Sequence, residues 1–247
     1  MTTLYDIDRF CDYFTAQVSA INNLEAKSIS EESITRVRLY KKTLTISAID
    51  TLASLRFSKE NYKELNKLNK ARFIRFLSEY CEWENGTLIS IPTLFDQLSI
   101  KKPQNSILYD ALRNKLLKYN GNEGKALNIE IIDAKAEKLL ELANSEIEEH
   151  LILECQHYSL LYGYKNCIAQ EAREPCGVME AYQYAQPHYY SYIQYKTADE
   201  LTQWHLSYPV EHFKNLFFCS IKNMKQYFIK SNINPYSLLG NRHSRWW

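Results

Sequence analysis

Glycine and proline are rare in this chain, six of each in 247 residues, and that scarcity is the strongest constraint on its fold. A β-sandwich reverses direction often, and its turns call for residues with a free or a fixed φ. Helices exclude both residues from their interiors, so a chain this poor in them is expected to be built of long helices. Apolar spacing agrees. Leu4, Ile7, Phe10, Phe14, Val18 and Ile21 predict an amphipathic helix over 4–26. Ser30, ahead of Glu31, Glu32 and Ser33, has the composition of a helix start. Beyond it Val37, Tyr40, Leu44, Ala48, Leu52 and Leu55 form the stripe expected to face the core.

KARFIRFLSEYCE predicts a helix over 70–82, ended before Asn85–Gly86. SIPTLFDQL reads as a short helix over 90–98 with Pro92 in its first turn, and residues 106–119 as another. YNGNEGK (119–125) is a loop, and ALNIEII after it suits a short strand. The sequence then reads as helix as far as Pro175, Cys176 and Gly177, with Ile147, Leu151, Cys155, Tyr158, Leu161 or Tyr162, Ile168 and Ala172 facing inward. A tyrosine-rich connection follows, and a last helix over 209–230 shows Val210, Phe213, Leu216 or Phe217, Ile221, Met224 and Phe228 on one face. With no repeat, low-complexity tract or linker, the expectation is an all-α fold: a single domain over 1–247, made of long antiparallel helices and an irregular tyrosine-rich connection.

Composition excludes several classes. Apolar runs are too short for a membrane span, and MTTLYDIDRFCDYF carries acids where a signal peptide carries bases. The cytosol is the expected home. The six cysteines (Cys11, Cys81, Cys155, Cys167, Cys176, Cys219) show no CxxC or Cys/His pairing and read as reduced thiols packed as small apolar groups. Net charge is +1, which leaves no global nucleic-acid footprint. Locally, residues 31–75 hold eleven Lys/Arg against five Asp/Glu, whereas residues 128–154 hold eight acids against two bases. No HExxH, GxSxG, Walker loop or GxGxxG occurs. His150 and His157, seven apart on one expected helix, suit satisfied polar histidines better than a metal pair. No metal or cofactor is expected.

One stretch stands out. In YGYKNCIAQEAREP (162–175), Lys165 falls among the inward residues and is followed by Asn166, Gln170, Glu171 and Arg173. LLYGYKNCIAQEAREP resembles the signature helix of the HEPN superfamily, the higher eukaryote and prokaryote nucleotide-binding domains. That helix carries an arginine, a polar neighbour and, a few residues on, a histidine. In a metal-independent ribonuclease the histidine moves protons between the ribose 2′-hydroxyl and the leaving oxygen, while the arginine offsets phosphate charge. YKKTLTISAIDTLASLRF, RFIRFLSEY leading to SIPTL, and SYPVEHFKNLFF with NINPY are similar to a bacterial subgroup, so the resemblance spans roughly 35–240.

On this alignment Lys165 takes the arginine position, Asn166 that of its neighbour and Gln170 that of the histidine. Lysine holds phosphate as a point charge without arginine's fork, and glutamine does not titrate. The resemblance therefore implies a HEPN-like homodimer with a degenerate ribonuclease motif. Its role would be a non-catalytic RNA-binding, nucleotide-binding or scaffold component of a bacterial defence or toxin–antitoxin system, with Lys165, Asn166, Gln170, Glu171 and Arg173 lining the groove. Two alternatives stay open. One is an active metal-independent endoribonuclease with an altered composite site at a dimer interface, taking its proton transfer from Glu171 or His157. The other is a protein–protein interaction module without nucleic-acid binding, whose basic and acidic segments pair with another protein. In a purely structural or dimer-interface role Asn166 bonds Gln170 along the helix and Lys165 reaches a carboxylate such as Glu171 of a second subunit. The tyrosines of AYQYAQPHYYSYIQY and the arginines and tryptophans of GNRHSRWW offer stacking faces for bases, or packing over the core.

Overall fold

The computed structural model of the chain describes residues 4–28, 30–58, 61–101, 106–121, 126–171, 173–175, 191–196 and 202–238. Its helices are α1 (Leu4–Asn22), α2 (Glu31–Arg56), α3 (Asn69–Tyr80), α4 (Ile91–Lys101), α5 (Ile107–Leu117), α6 (Ile129–Ile132), α7 (Ala136–Leu140), α8 (Glu146–Glu154), α9 (His157–Glu171) and α10 (Val210–Ser231). Three strands, β1 (Ala126–Asn128), β2 (Ser191–Lys196) and β3 (Thr202–Ser207), complete the regular structure. The fold is mainly helical, as the scarcity of glycine and proline predicts. An antiparallel sheet in the order β1-β2-β3 is the exception to the all-α expectation, and its second and third strands both occupy the connection expected to be irregular. GNRHSRWW and residues 176–190 lie outside the described residues.

The chain divides into two compact units. The first comprises residues 1–83, 168–173 and 213–247. Its core takes Ile7, Phe10, Phe14 and Val18 from α1, Ile46, Ile49, Leu52 and Ala53 from α2, and Phe73, Phe76 and Leu77 from α3. Phe217, Met224 and Phe228 of α10 join them, and Phe10 meets Phe228 edge-to-face at 5.7 Å. Each buried phenylalanine contributes about 1.5–3 kcal/mol relative to exposure. Helix α2 starts as expected, with Ser30 accepting from the Ser33 amide.

Its apolar stripe differs from the expected one. Tyr40 and Leu44 are 55% and 45% exposed, while Lys42, Thr45, Ile46 and Ile49 are buried. The helix carries two apolar lanes. The one with the β-branched residues faces the core, and the fully buried Lys42 lies in it.

The second unit comprises residues 84–167 and 174–212. The continuous helix expected through 135–174 is broken into α7, α8 and α9. At the break between α8 and α9 a distant segment intervenes. Leu88, Ile89 and Ser90 run as an extended piece between residues 134 and 155–157. Ile89 exchanges backbone bonds with Ala134, the Ser90 amide donates to the Cys155 carbonyl, and the His157 amide donates to the Leu88 carbonyl. Those bonds take the Cys155 carbonyl and the His157 amide out of the helical ladder, so α8 and α9 are separate helices. Ile147, expected to face inward, is 64% exposed, and Ile152 takes the core position. His150 is exposed and His157 buried, so they share no face.

The start of α8 is capped reciprocally: Ser145 accepts from the Glu148 amide, and Glu148 accepts from the Asn144 amide and the Ser106 hydroxyl. Gly86 is required by close approach, because a Cβ there would lie 2.1 Å from the Tyr158 ring. In β3, Trp204 and Leu206 are buried while Gln203 is exposed, the alternation of a half-buried strand.

Candidate functional site

Helix α9 carries both the expected site and an unexpected one. At its start His157 is fully buried. Its Nε2 lies 2.7 Å from Asp133 Oδ2 and its Nδ1 2.6 Å from the Tyr208 hydroxyl. A carboxylate accepts, so Nε2 carries a proton toward Asp133, and in the neutral imidazole Nδ1 accepts the Tyr208 O–H. The second carboxylate oxygen, Oδ1, accepts from the Ile91 amide at 3.0 Å. Lys115 Nζ donates to the Asp133 carbonyl at 3.1 Å, and burial holds that ammonium below its ordinary pKa. His212 stacks on Tyr208 with ring centroids 5.7 Å apart. Burial first, and then the neighbouring His157, push the His212 pKa down to about 3.

The extended Leu88–Ser90 piece explains this assembly. By bonding to Ala134 on one side and to Cys155 and His157 on the other, it sets Asp133 beside His157 and aims the Ile91 amide at the carboxylate. Neither Asp133 nor Tyr208 was foreseeable from spacing, since they stand 24 and 51 positions from His157. No local motif announces them. His157 is a satisfied core histidine, and its full burial separates it from any substrate.

The five expected site residues lie further along the same helix and just past it. Lys165 and Asn166, in the second unit, are half-buried. The Lys165 ammonium sits 4.9 Å from the centroid of the Tyr162 ring, a cation–π pair across one helical turn. Beside it Tyr164 is buried, donating to Glu174 at 2.8 Å and meeting Tyr208 edge-to-face. Gln170, Glu171 and Arg173, in the first unit, are exposed. Arg173 pairs with Glu171 at 2.5 Å. Chemically the strip offers one half-buried cation, amide groups that donate and accept, and a solvent-screened ion pair.

Cys11, Cys81 and Cys155 are buried as the packed reading expects, Cys167 and Cys219 are half-buried, and Cys176 lies outside the described residues. Burial pushes Cys155 up to about 12 and Cys11 up to about 11, so neither forms a thiolate near neutral pH. Among the described residues no group of three or more His, Cys, Asp or Glu side chains could hold a metal, and no helix is long and apolar enough to cross a membrane. Fold and site define a mainly helical chain with a buried Asp–His–Tyr network and a polar strip on one helix. No family model, no curated protein and no solved structure matches it.

Proposed function

We propose that the chain is a HEPN-like, non-catalytic binding protein for RNA or a nucleotide, acting as a homodimer in a bacterial defence or toxin–antitoxin setting. The observation that carries this reading is the division of labour along α9. Its one histidine is buried and hydrogen-bonded at both ring nitrogens, while the residues at the positions of the family's phosphate-binding and proton-moving pair are Lys165 and Gln170. The cation and its polar neighbour Asn166 are half-buried on the same helix, and the proton carrier has no counterpart on it. Losing such a group costs a ribonuclease about 10²–10⁴ in rate.

Labelled single-stranded RNA and a transfer-RNA pool, incubated with the pure protein in EDTA, test the reading. Binding without cleavage is expected. Lys165→Glu should weaken it and lower the slope of log affinity against log salt by about one. Cleavage that disappears in Glu171→Ala would instead establish the altered endoribonuclease. Absence of any salt-dependent RNA affinity would leave an interaction module. Solution mass at several concentrations tests the dimer, and a monomer throughout would remove the shared groove.

A further inference from the structure

The first unit contains a cluster rich in hydrogen-bond donors and poor in acceptors. Arg56, half-buried, lies in the last turn of α2. Its Nε donates to the Tyr80 hydroxyl and its Nη1 to the Tyr62 hydroxyl. The Tyr227 ring lies 4.0 Å from its Cζ and the Phe57 ring 4.6 Å. Among the described residues no carboxylate pairs with it.

Arg75 is the useful contrast. It approaches the same Phe57 and Tyr62 rings, at 4.8 Å and 5.2 Å, but it is neutralised by Glu79 at 2.7 Å and Glu64 at 3.6 Å. Two carboxylates therefore stand in the neighbourhood, and both belong to the other arginine.

A guanidinium carries five N–H donors, of which Arg56 gives one to each of the Tyr62 and Tyr80 hydroxyls. Those hydroxyls accept from it and keep their own O–H protons. Tyr227 presents a further hydroxyl beside the guanidinium. None of these protons meets an acceptor among the described residues. A cation in the last turn suits the helix dipole, which explains the position of the charge but supplies no acceptor for the hydroxyls. The donors come from α2, the segment after it, α3 and α10, and so converge from several directions. A phosphate has enough oxygens to accept from several such donors at once, and arginine is a common phosphate-binding side chain.

We infer that the Arg56, Tyr62, Tyr80 and Tyr227 cluster binds a phosphate group, as the free anion or as the monoester of a nucleotide. This site lies within the first unit and does not depend on the reading of Lys165.

Thermal unfolding of the full chain at constant ionic strength tests it, with sodium chloride, inorganic phosphate, adenosine 5′-monophosphate and adenosine compared. Phosphate and the monophosphate should raise the unfolding midpoint with concentration, while adenosine and chloride do not. Arg56→Gln should weaken the apparent phosphate affinity about tenfold or more, and Tyr227→Phe, which removes a single O–H, about two- to fivefold. If Arg56→Gln does not fold, Tyr227→Phe decides. Phosphate affinity unchanged in Tyr227→Phe, protection by adenosine equal to that by its monophosphate, or no phosphate effect beyond chloride would each overturn the inference.

Discussion

The Asp133–His157–Tyr208 chain and the Arg56 cluster use similar side chains, ionised groups beside tyrosine hydroxyls, yet their hydrogen-bond ledgers differ. In the first, both ring nitrogens of His157 and both oxygens of Asp133 meet partners, and the imidazole and carboxylate are out of contact with solvent. In the second, donors outnumber acceptors and the guanidinium is only half-buried. A closed network buried in a low-dielectric interior contributes to stability and to a unique packing. An open one of the same ingredients is suited to a ligand. On α9 burial also differs within one helix, between the fully buried His157 and the half-buried Lys165. Residue type alone does not separate architecture from function; the partners do.

Four measurements can break or sharpen that comparison, beginning with the largest effect. Asp133→Ala should destabilise the protein by about 3–5 kcal/mol, because it leaves His157 and the Ile91 amide buried without their acceptor. A loss below about 1 kcal/mol in denaturant unfolding would show that the network is not closed.

Lowering pH should come next. The His212 pKa is depressed from 6.5 to about 3, so below pH 6.5 the unfolded chain binds a proton that the folded chain refuses. Stability should therefore be full above pH 6.5 and fall by about 1.4 kcal/mol per unit on the way down toward pH 3. His212→Phe should flatten that slope, and an unchanged slope would assign it to other groups.

Tyr208→Phe should cost about 1–3 kcal/mol, since it removes the donor to His157 Nδ1. Lys165→Ala should change stability by no more than about 0.5 kcal/mol while reducing RNA affinity. A large stability loss there would make Lys165 part of the architecture and weaken the binding proposal.

Much of the helical framework was legible in the sequence. The stripes on α1 and α10 meet the core where spacing placed them, except that Leu4 is 60% exposed and Ile21 and Val210 are half-buried, and the start of α2 is where Ser30 put it. The stripe on α2 was misplaced because Val37, Tyr40, Leu44 and Ala48 satisfy a helical period as well as Thr45, Ile46, Ile49 and Ala53 do. The true lane also includes Lys42, which any polarity pattern assigns to the surface. The break between α8 and α9 could not be read locally, since nothing in LILECQHYSLL opposes helix and the competing bonds come from residues 88–90. Four of the five polar residues of the expected site lie on α9, but Arg173, expected within the helix, lies past its end, and their differing exposure depends on packing that spacing does not encode.

The same pairing has a consequence for how the chain reaches its folded state. Helices α8 and α9 are each short and can form from local contacts, on a timescale of about a microsecond. Their mutual phase, however, is set by backbone partners nearly seventy residues upstream, as in the bond from the His157 amide to Leu88. Until that loop closes, residues 146–171 are free to propagate as one uninterrupted helix, with Ile147 and Cys155 on a common side and His157 away from Asp133. A continuous helix over this stretch would compete with native docking. Mutations that strengthen helix propensity at Cys155 or Gln156 should slow folding by stabilising that wrong register, even where they leave the final structure intact.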